Sequence, residues 1–322
     1  MKALIYTGPE RMSFTDVPDP VVRPGDALVR IESVGICGSD MHAYLGHDER
    51  RPAPLILGHE VSGVTDQGQR VTLNPLVTCG TCGACQAGKD NLCPDRQIIS
   101  MPPREGGFAE YVAIPERNLV ALPDHLNSDQ AALAEPIACG WHAVRLCQDR
   151  RQTARNALVI GGGAIGLGSA LSLVANGIED VTIVEPNALR RSFLSERCGL
   201  RVVDGSALAS GMTFDIVVDG VGYEATRTMA SAYAAPGGVI GHIGLGSSQG
   251  GLDVRRMTLQ EITFIGTYTY TAQDFRDTVA AMVDGRLGAL DWTETRPLEN
   301  GAQAFSDIRA GHVAAPKIVL NP

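Results

Sequence analysis

Four cysteines crowd between positions 79 and 93, in the run Cys79-Gly-Thr-Cys82-Gly-Ala-Cys85 followed by Cys93. The spacing C-x2-C-x2-C-x7-C suits one metal centre, because four thiolates close a tetrahedral zinc shell and leave no place for a substrate. Gly80 and Gly83 allow the backbone to wrap tightly around such an ion. Free or disulfide-bonded thiols are the plainer alternative, but closely spaced neighbours fit a shared centre better than two unstrained disulfides. An iron–sulfur cluster is the sharper competitor, since C-x2-C-x2-C also opens a ferredoxin motif. Zinc is favoured because the rest of the chain is equipped for hydride transfer.

A second set of donors is scattered. Cys37 lies in Gly35-Ile-Cys37-Gly-Ser39-Asp40-Met-His42, His59 in Leu57-Gly58-His59-Glu60, and Glu135 in Ala134-Glu135-Pro136. Each alone has an ordinary explanation: a small buried cysteine, a hydrogen-bonded core histidine, a carboxylate at a helix start. Together they offer sulfur, nitrogen and oxygen with one position open, which a catalytic zinc needs. An alcohol oxygen in that position loses its proton near neutral pH. Ser39, two residues after Cys37, then has its hydroxyl near the substrate oxygen. Asp40 is placed either to receive the second N–H of a ligating histidine or to cap a helix.

A third motif, Gly161-Gly-Gly163-Ala-Ile165-Gly166, reads G-x-G-x-x-G. Alone it is weak; between a strand and a helix it marks a dinucleotide site. Gly161 makes the turn, Gly163 admits the pyrophosphate to the helix N-terminus, and Gly166 allows close helix–strand packing. Glu185, at the end of the next strand, would bond ribose hydroxyls and repel a 2′-phosphate, favouring NAD over NADP. Arg190 and Arg191 would instead stack on adenine or receive that phosphate. Val221-Gly222 and Ile243-Gly244-Leu245 follow later strands and should pass beneath the nicotinamide.

The elements that must hold these groups follow from length and pattern. A chain of 322 residues, 44% hydrophobic and 20% charged, is too long for one core and suits two domains. Up to residue 60 it reads as short strands, with 27–34 alternating; 17–25 is loop, and 75–107 is too rich in Gly, Cys and Pro to hold itself by apolar burial. From 157 the pattern becomes strand 157–160, helix 165–176, strand 180–185, helix 187–198, then strands 214–219 and 238–243. That alternation implies a doubly wound parallel sheet. A helix at 272–284 and a strand at 317–320 close the chain. The uncharged stretch 157–178 is long enough for a membrane span, but its glycines and strand-like opening fit the dinucleotide turn better. There is no secretory signal, so a cytoplasmic enzyme is expected. The net charge of −9 argues against nucleic acid or anionic membrane as partners.

The C-G-S-D-x-H and G-H-E segments, the four-cysteine lobe, the run Gly106-Gly-Phe-Ala-Glu-Tyr-Val112 and the glycine fingerprint resemble, nearly end to end, the zinc-containing medium-chain dehydrogenase/reductase family. Glu135-Pro136 is similar to its sorbitol and polyol dehydrogenase branch. The resemblance implies a β-rich, GroES-like catalytic domain over 1–138 and 270–322, and a Rossmann NAD-binding domain over 139–269. It implies two zincs per chain, NAD, and a homodimer or homotetramer. It makes Cys37 and His59 catalytic-zinc ligands, with Glu60 and Glu135 as alternatives or partners. It implies proton transfer through Ser39 and His42, an arginine spaced like Arg190 beside NAD, and Tyr44, Tyr111, Thr269 and Tyr270 facing substrate. Two departures leave the substrate open: the excursion after Gly63 is cut down to 64–70, and Thr269 stands where polyol enzymes often carry arginine. The function expected is oxidation of a secondary alcohol or polyol by NAD to a ketone or aldehyde. A threonine-type amino-alcohol dehydrogenase and a non-enzymatic NAD- and zinc-binding protein are the alternatives.

Overall fold

The computed structural model describes residues 1–322. It divides into two compact units, the first comprising 1–135, 271–283 and 293–322, the second 136–270 and 284–292. The family resemblance implies that all of 270–322 belongs with the first unit. Residues 284–292 instead join the second, where Arg286 lies over the Trp141 ring at 5.5 Å and Asp291 faces Arg197 at 3.6 Å.

The first unit is built on a sheet ordered Leu119–Ala121, Arg70–Leu73, Glu60–Thr65, Asp26–Gly35, Lys317–Asn321 and Thr293–Pro297, with Tyr111–Pro115 also paired to Asp26–Gly35. The strand Asp26–Gly35 is its hub. Its antiparallel register sets Gly35 opposite Glu60 on one side and opposite Val319 on the other. Three distant segments thereby meet at one strand end. A smaller sheet pairs Arg11–Asp16, Lys2–Gly8 and Leu55–Ile56. Between 75 and 107 regular structure is sparse, as expected: two-residue strands at Leu76–Val77 and Gln97–Ile98, one turn of helix at Gly83–Gln86 and a 3-10 turn at Asp90–Leu92.

The second unit holds six parallel strands in the order Arg201–Val203, Asp180–Val184, Asn156–Ile160, Phe214–Asp219, Ala234–His242 and Thr263–Gly266. Its buried strands are runs of Val, Ile and Leu, because helices cover a parallel sheet on both faces. The helix after the glycine turn is Ala164–Ala175; no helix is long and apolar enough to cross a membrane. The helix Ala134–Arg150 went unread in the sequence, where Pro136 and Gly140 interrupt the helical pattern. Proline is tolerated in a first turn. Gly140 is required by packing, since a Cβ there would lie 2.5 Å from the Ser169 backbone nitrogen on the neighbouring helix.

Candidate metal and cofactor sites

Cys37 ends the hub strand's reach and caps the helix Gly38–Tyr44; its backbone N–H donates to Asp40 Oδ2 at 3.0 Å. Asp40 Oδ1 accepts from the Gly58 N–H at 3.2 Å and lies 3.6 Å from His59 Nδ1. One buried carboxylate thus ties the Cys37 turn to the His59 turn. Gly58 has φ +89°, and a Cβ there would strike the Phe108 ring, so only glycine serves. Cys37, His59 and Glu60 end with their ligand atoms within 4.8 Å of one another.

The electrostatics of this cluster favour a cation. Burial opposes charge on His59, yet the Asp40 carboxylate and Cys37 hold its pKa well above the usual range. Burial likewise opposes ionisation of Asp40, but His59 and Arg51 hold it below its ordinary value. A metal ion bound by the His59 ring would have to displace that proton. Glu60 is fully buried, and its two oxygens differ. Oε1 accepts from Lys317 Nζ at 2.6 Å, while Oε2 has no hydrogen-bond partner. A buried carboxylate oxygen left bare is costly unless a ligand completes it. A Cβ at Gly35 would fall on that same oxygen, so the glycine keeps its space clear. Cysteine, histidine and carboxylate donors at this separation fit zinc.

Glu135 lies 6% exposed in the first turn of Ala134–Arg150 and adds its negative charge to the field at Lys317, but stands outside the tight cluster. Lys317 was read only as part of a strand. It is 4% exposed, donates to the Ile36 carbonyl at 2.8 Å, and burial's downward pull on its pKa is outweighed by Glu60 and Cys37. Ser100, also unread, brings its Oγ to 3.2 Å from His59 Nδ1. Ser39 Oγ lies 3.5 Å from Arg51 Nη2, and His42 is exposed in the last turn of its short helix. Tyr44, expected to face substrate, is a core aromatic with its ring centroid 5.1 Å from that of Phe305. Tyr270 is 1% exposed, Tyr111 half-buried, and Thr269 takes φ +44°, rare for a β-branched residue.

The four-cysteine lobe is closed. Cys79–Cys85, Cys82–Cys85 and Cys93–Cys79 sulfurs lie 3.9, 3.5 and 3.6 Å apart, and all eight cysteines are thiols. Tetrahedral zinc with Zn–S of about 2.3 Å needs S···S near 3.8 Å. Backbone N–H groups of Thr81 and Cys82 lower the Cys79 thiol to about 6, whereas burial and the Cys82 thiol push Cys85 up to about 12.

In the second unit Gly161 turns at φ +98° and its N–H donates to the Val184 carbonyl. Gly163 caps Ala164–Ala175 with nothing within 4 Å of where a Cβ would stand, whereas at Gly166 a Cβ would overlap the Gly161 carbonyl. Ile165, in the first turn, is half-buried. Glu185 Oε2 accepts from the Gly162 N–H and Oε1 from the Asn187 N–H, both at 2.8 Å. Arg191 bonds the Glu185 and Pro186 carbonyls and pairs with Asp204; Arg190 and Arg191 both lie at the start of the helix Ala188–Cys198, capped by Asn187. Asp219 was not foreseen: its Oδ1 receives the N–H groups of Val221 and Gly222, and its carbonyl that of Ile243. These bonds shape the loops that carry Val221, Ile243 and the 78%-exposed Leu245.

Comparison with known proteins agrees with both halves. Residues 23–124 match the family profile "Alcohol dehydrogenase GroES-like domain" and 164–284 match "Zinc-binding dehydrogenase". The chain is 31% identical to a Saccharomyces cerevisiae protein named "Probable diacetyl reductase [(R)-acetoin forming] 2", over 89% of this chain and 81% of that one. It is 30% identical to L-galactonate-5-dehydrogenase of Escherichia coli, over 90% and 89% of the two chains. A crystal structure of a protein assigned as a zinc-binding dehydrogenase, from Sinorhizobium meliloti with NADP bound, superimposes with a TM-score of 0.89 at 27% identity, covering 100% and 99%. The chain belongs to the zinc-binding dehydrogenases of the medium-chain, GroES-plus-Rossmann family. It is an oxidoreductase of the nicotinamide-linked alcohol and polyol dehydrogenase class.

Proposed function

We propose that the chain oxidises a secondary alcohol bearing a neighbouring oxygen, as in a vicinal diol or polyol, and passes the hydride to NAD. The observation that carries this reading is the Cys37–His59–Glu60 cluster, its histidine and glutamate buried and its cysteine half-buried, with one carboxylate oxygen bare. Cys37, His59 and Glu60 are the residues that would hold a catalytic zinc, with Glu135 a further carboxylate nearby. Bound there, zinc supplies Lewis-acid chemistry, making an alcohol's proton easier to lose near neutral pH. Asp40 orients the His59 ring, and Lys317 fixes Glu60 through one oxygen. Ser39 receives the alcohol proton at Oγ as its own hydroxyl proton passes on towards His42, which is exposed to solvent and carries it away. Cys79, Cys82, Cys85 and Cys93 would hold a second zinc that replaces a core in a lobe with little apolar burial.

The glycine turn receives the NAD pyrophosphate at the start of Ala164–Ala175, and Glu185 meets the adenosine ribose. The relatives support the substrate class, since diacetyl and galactonate both carry oxygen on adjacent carbons. The free thiols fit a reducing compartment, the cytoplasm. A homodimer or homotetramer would cover exposed apolar side chains such as Val254 and Leu259. The test is a substrate panel of vicinal diols, polyols, sugar acids, amino alcohols and simple secondary alcohols, each with NAD and NADP, beside metal analysis. Two zincs per chain and turnover of diols with NAD are expected. Turnover of amino alcohols alone, or iron in place of zinc, would refute the reading.

A further inference from the structure

Arg51 lies in the loop between Gly38–Tyr44 and Leu55–Ile56, a stretch with no motif to single it out. Its side chain is 4% exposed. Asp48 accounts for part of this: Nη1 meets Asp48 Oδ2 at 2.5 Å. Burial would raise the Asp48 carboxyl, but hydrogen bonds from Arg50 and the charges of Arg51 and Arg50 hold it at about 2. The pair is therefore ionised throughout the neutral range.

The rest of the fork is turned elsewhere. Nε donates to the Ser100 carbonyl at 3.1 Å, and Nη2 lies 3.5 Å from Ser39 Oγ. These two serines flank the cluster. Ser39 follows Cys37 by two residues, and Ser100 Oγ sits 3.2 Å from His59 Nδ1. Ser100 is fully buried and has φ +72°, a left-handed backbone that a non-glycine residue rarely keeps without outside support. Arg51 grips the carbonyl of that residue.

The direction of the Ser39 contact is settled by chemistry. A guanidinium has donors and no acceptor. Ser39 Oγ must therefore accept from Arg51, and its own hydrogen must point away from Arg51. A hydroxyl whose lone pair is taken by a cation is a stronger donor on its other side, which favours the deprotonated form of a substrate oxygen it faces.

We propose that Arg51 is a positioning residue of the proton relay: by occupying one lone pair of Ser39 Oγ it fixes the hydroxyl so that the proton taken from the alcohol stays hydrogen-bonded to the deprotonated substrate oxygen. The inference rests on the reading that Ser39 contacts the substrate oxygen.

The test is a double-substitution cycle on the zinc- and NAD-supplemented enzyme, using Arg51→Lys, Ser39→Ala and the pair. Lysine keeps a charge for Asp48, but one ammonium cannot span Asp48, Ser100 and Ser39 together. Arg51→Lys is expected to lower kcat by about tenfold, the worth of one charge-assisted hydrogen bond in the transition state. Its zinc content, melting temperature and KM for NAD should stay at wild-type values, and its solvent deuterium isotope effect on kcat should rise. The double variant should be no slower than Ser39→Ala alone, because Arg51 acts through that hydroxyl. Arg51→Gln, which keeps an amide donor without the charge, gives the same comparison if lysine loosens the loop. Independent, multiplying losses in the double variant would overturn the proposal, as would a kcat within twofold of wild type in both Arg51 variants. Full kcat in Ser39→Ala would instead remove the relay reading, and the proposal with it.

Discussion

Replacing Lys317 with methionine tests how Glu60 is held. The lysine is 4% exposed and the glutamate fully buried, and the 2.6 Å contact between Nζ and Oε1 is the carboxylate's ion pair. With Oε2 already bare, Lys317→Met leaves a buried charge with neither oxygen paired. Breaking one side of a buried pair costs about 3–5 kcal/mol. With a urea m-value of about 1–3 kcal/mol/M, the metal-free protein should unfold at a midpoint more than about 1 M lower. Glu60→Gln together with Lys317→Met should recover much of that loss, since no charge is left stranded. Zinc adds a sharper check. If Glu60 belongs to the metal cluster, a bound cation gives the stranded carboxylate a new partner, so the deficit should shrink when zinc is saturating. Urea titrations followed by circular dichroism, with and without zinc, measure both. A midpoint shift below about 0.3 M, or equal deficits with and without zinc, would refute the argument that Lys317 balances a carboxylate facing the metal cluster.

The other sites yield equally direct tests. Cys37→Ser should abolish NAD reduction with every alcohol tried while leaving NADH binding and circular dichroism unchanged; near-normal turnover would remove Cys37 from the metal shell. Cys93→Ser, which alters a fully buried thiol of the four-cysteine lobe, should lower the melting temperature more than it lowers kcat. Zinc uptake by that lobe should release protons at pH 7, because Cys85, pushed up to about 12, is still protonated there while Cys79, at about 6, is mostly thiolate. Its zinc affinity should therefore fall as pH drops and fall more steeply below about 6, read by a pH indicator during titration. Gly163→Ala should keep the melting temperature but weaken NADH binding by about tenfold, since its Cβ meets only open space meant for the pyrophosphate. Gly166→Ala should lose stability itself, because its Cβ overlaps the Gly161 carbonyl.

The contrast between those two glycines shows what the sequence can carry. A motif whose parts lie within one turn, as in the glycine fingerprint or the four cysteines, states its geometry through spacing alone, because few backbone paths connect the residues. The Cys37–His59–Glu60 cluster is different. Its composition could be read, but the choice between Glu60 and Glu135 turns on the strand register that sets Gly35 opposite Glu60, and periodicity does not report register. Lys317 stands 257 residues from Glu60, and Arg51 reaches Ser100 across 49, so neither pairing leaves a local trace. Tyr44 shows the complementary case: an aromatic that a resemblance assigns to a cleft also packs on Phe305, a contact that residue type does not report. A common cause runs through these cases. The donors that touch a metal are constrained by chemistry and advertise themselves by residue type, whereas the charges that hold the donors need only be somewhere in the chain that folding brings near. Lys317 and Arg51 are both of that second kind. Each is a buried cation spent on an acid and on a backbone carbonyl, and only the assembled sheet and loop disclose which acidic or hydroxyl group each one controls.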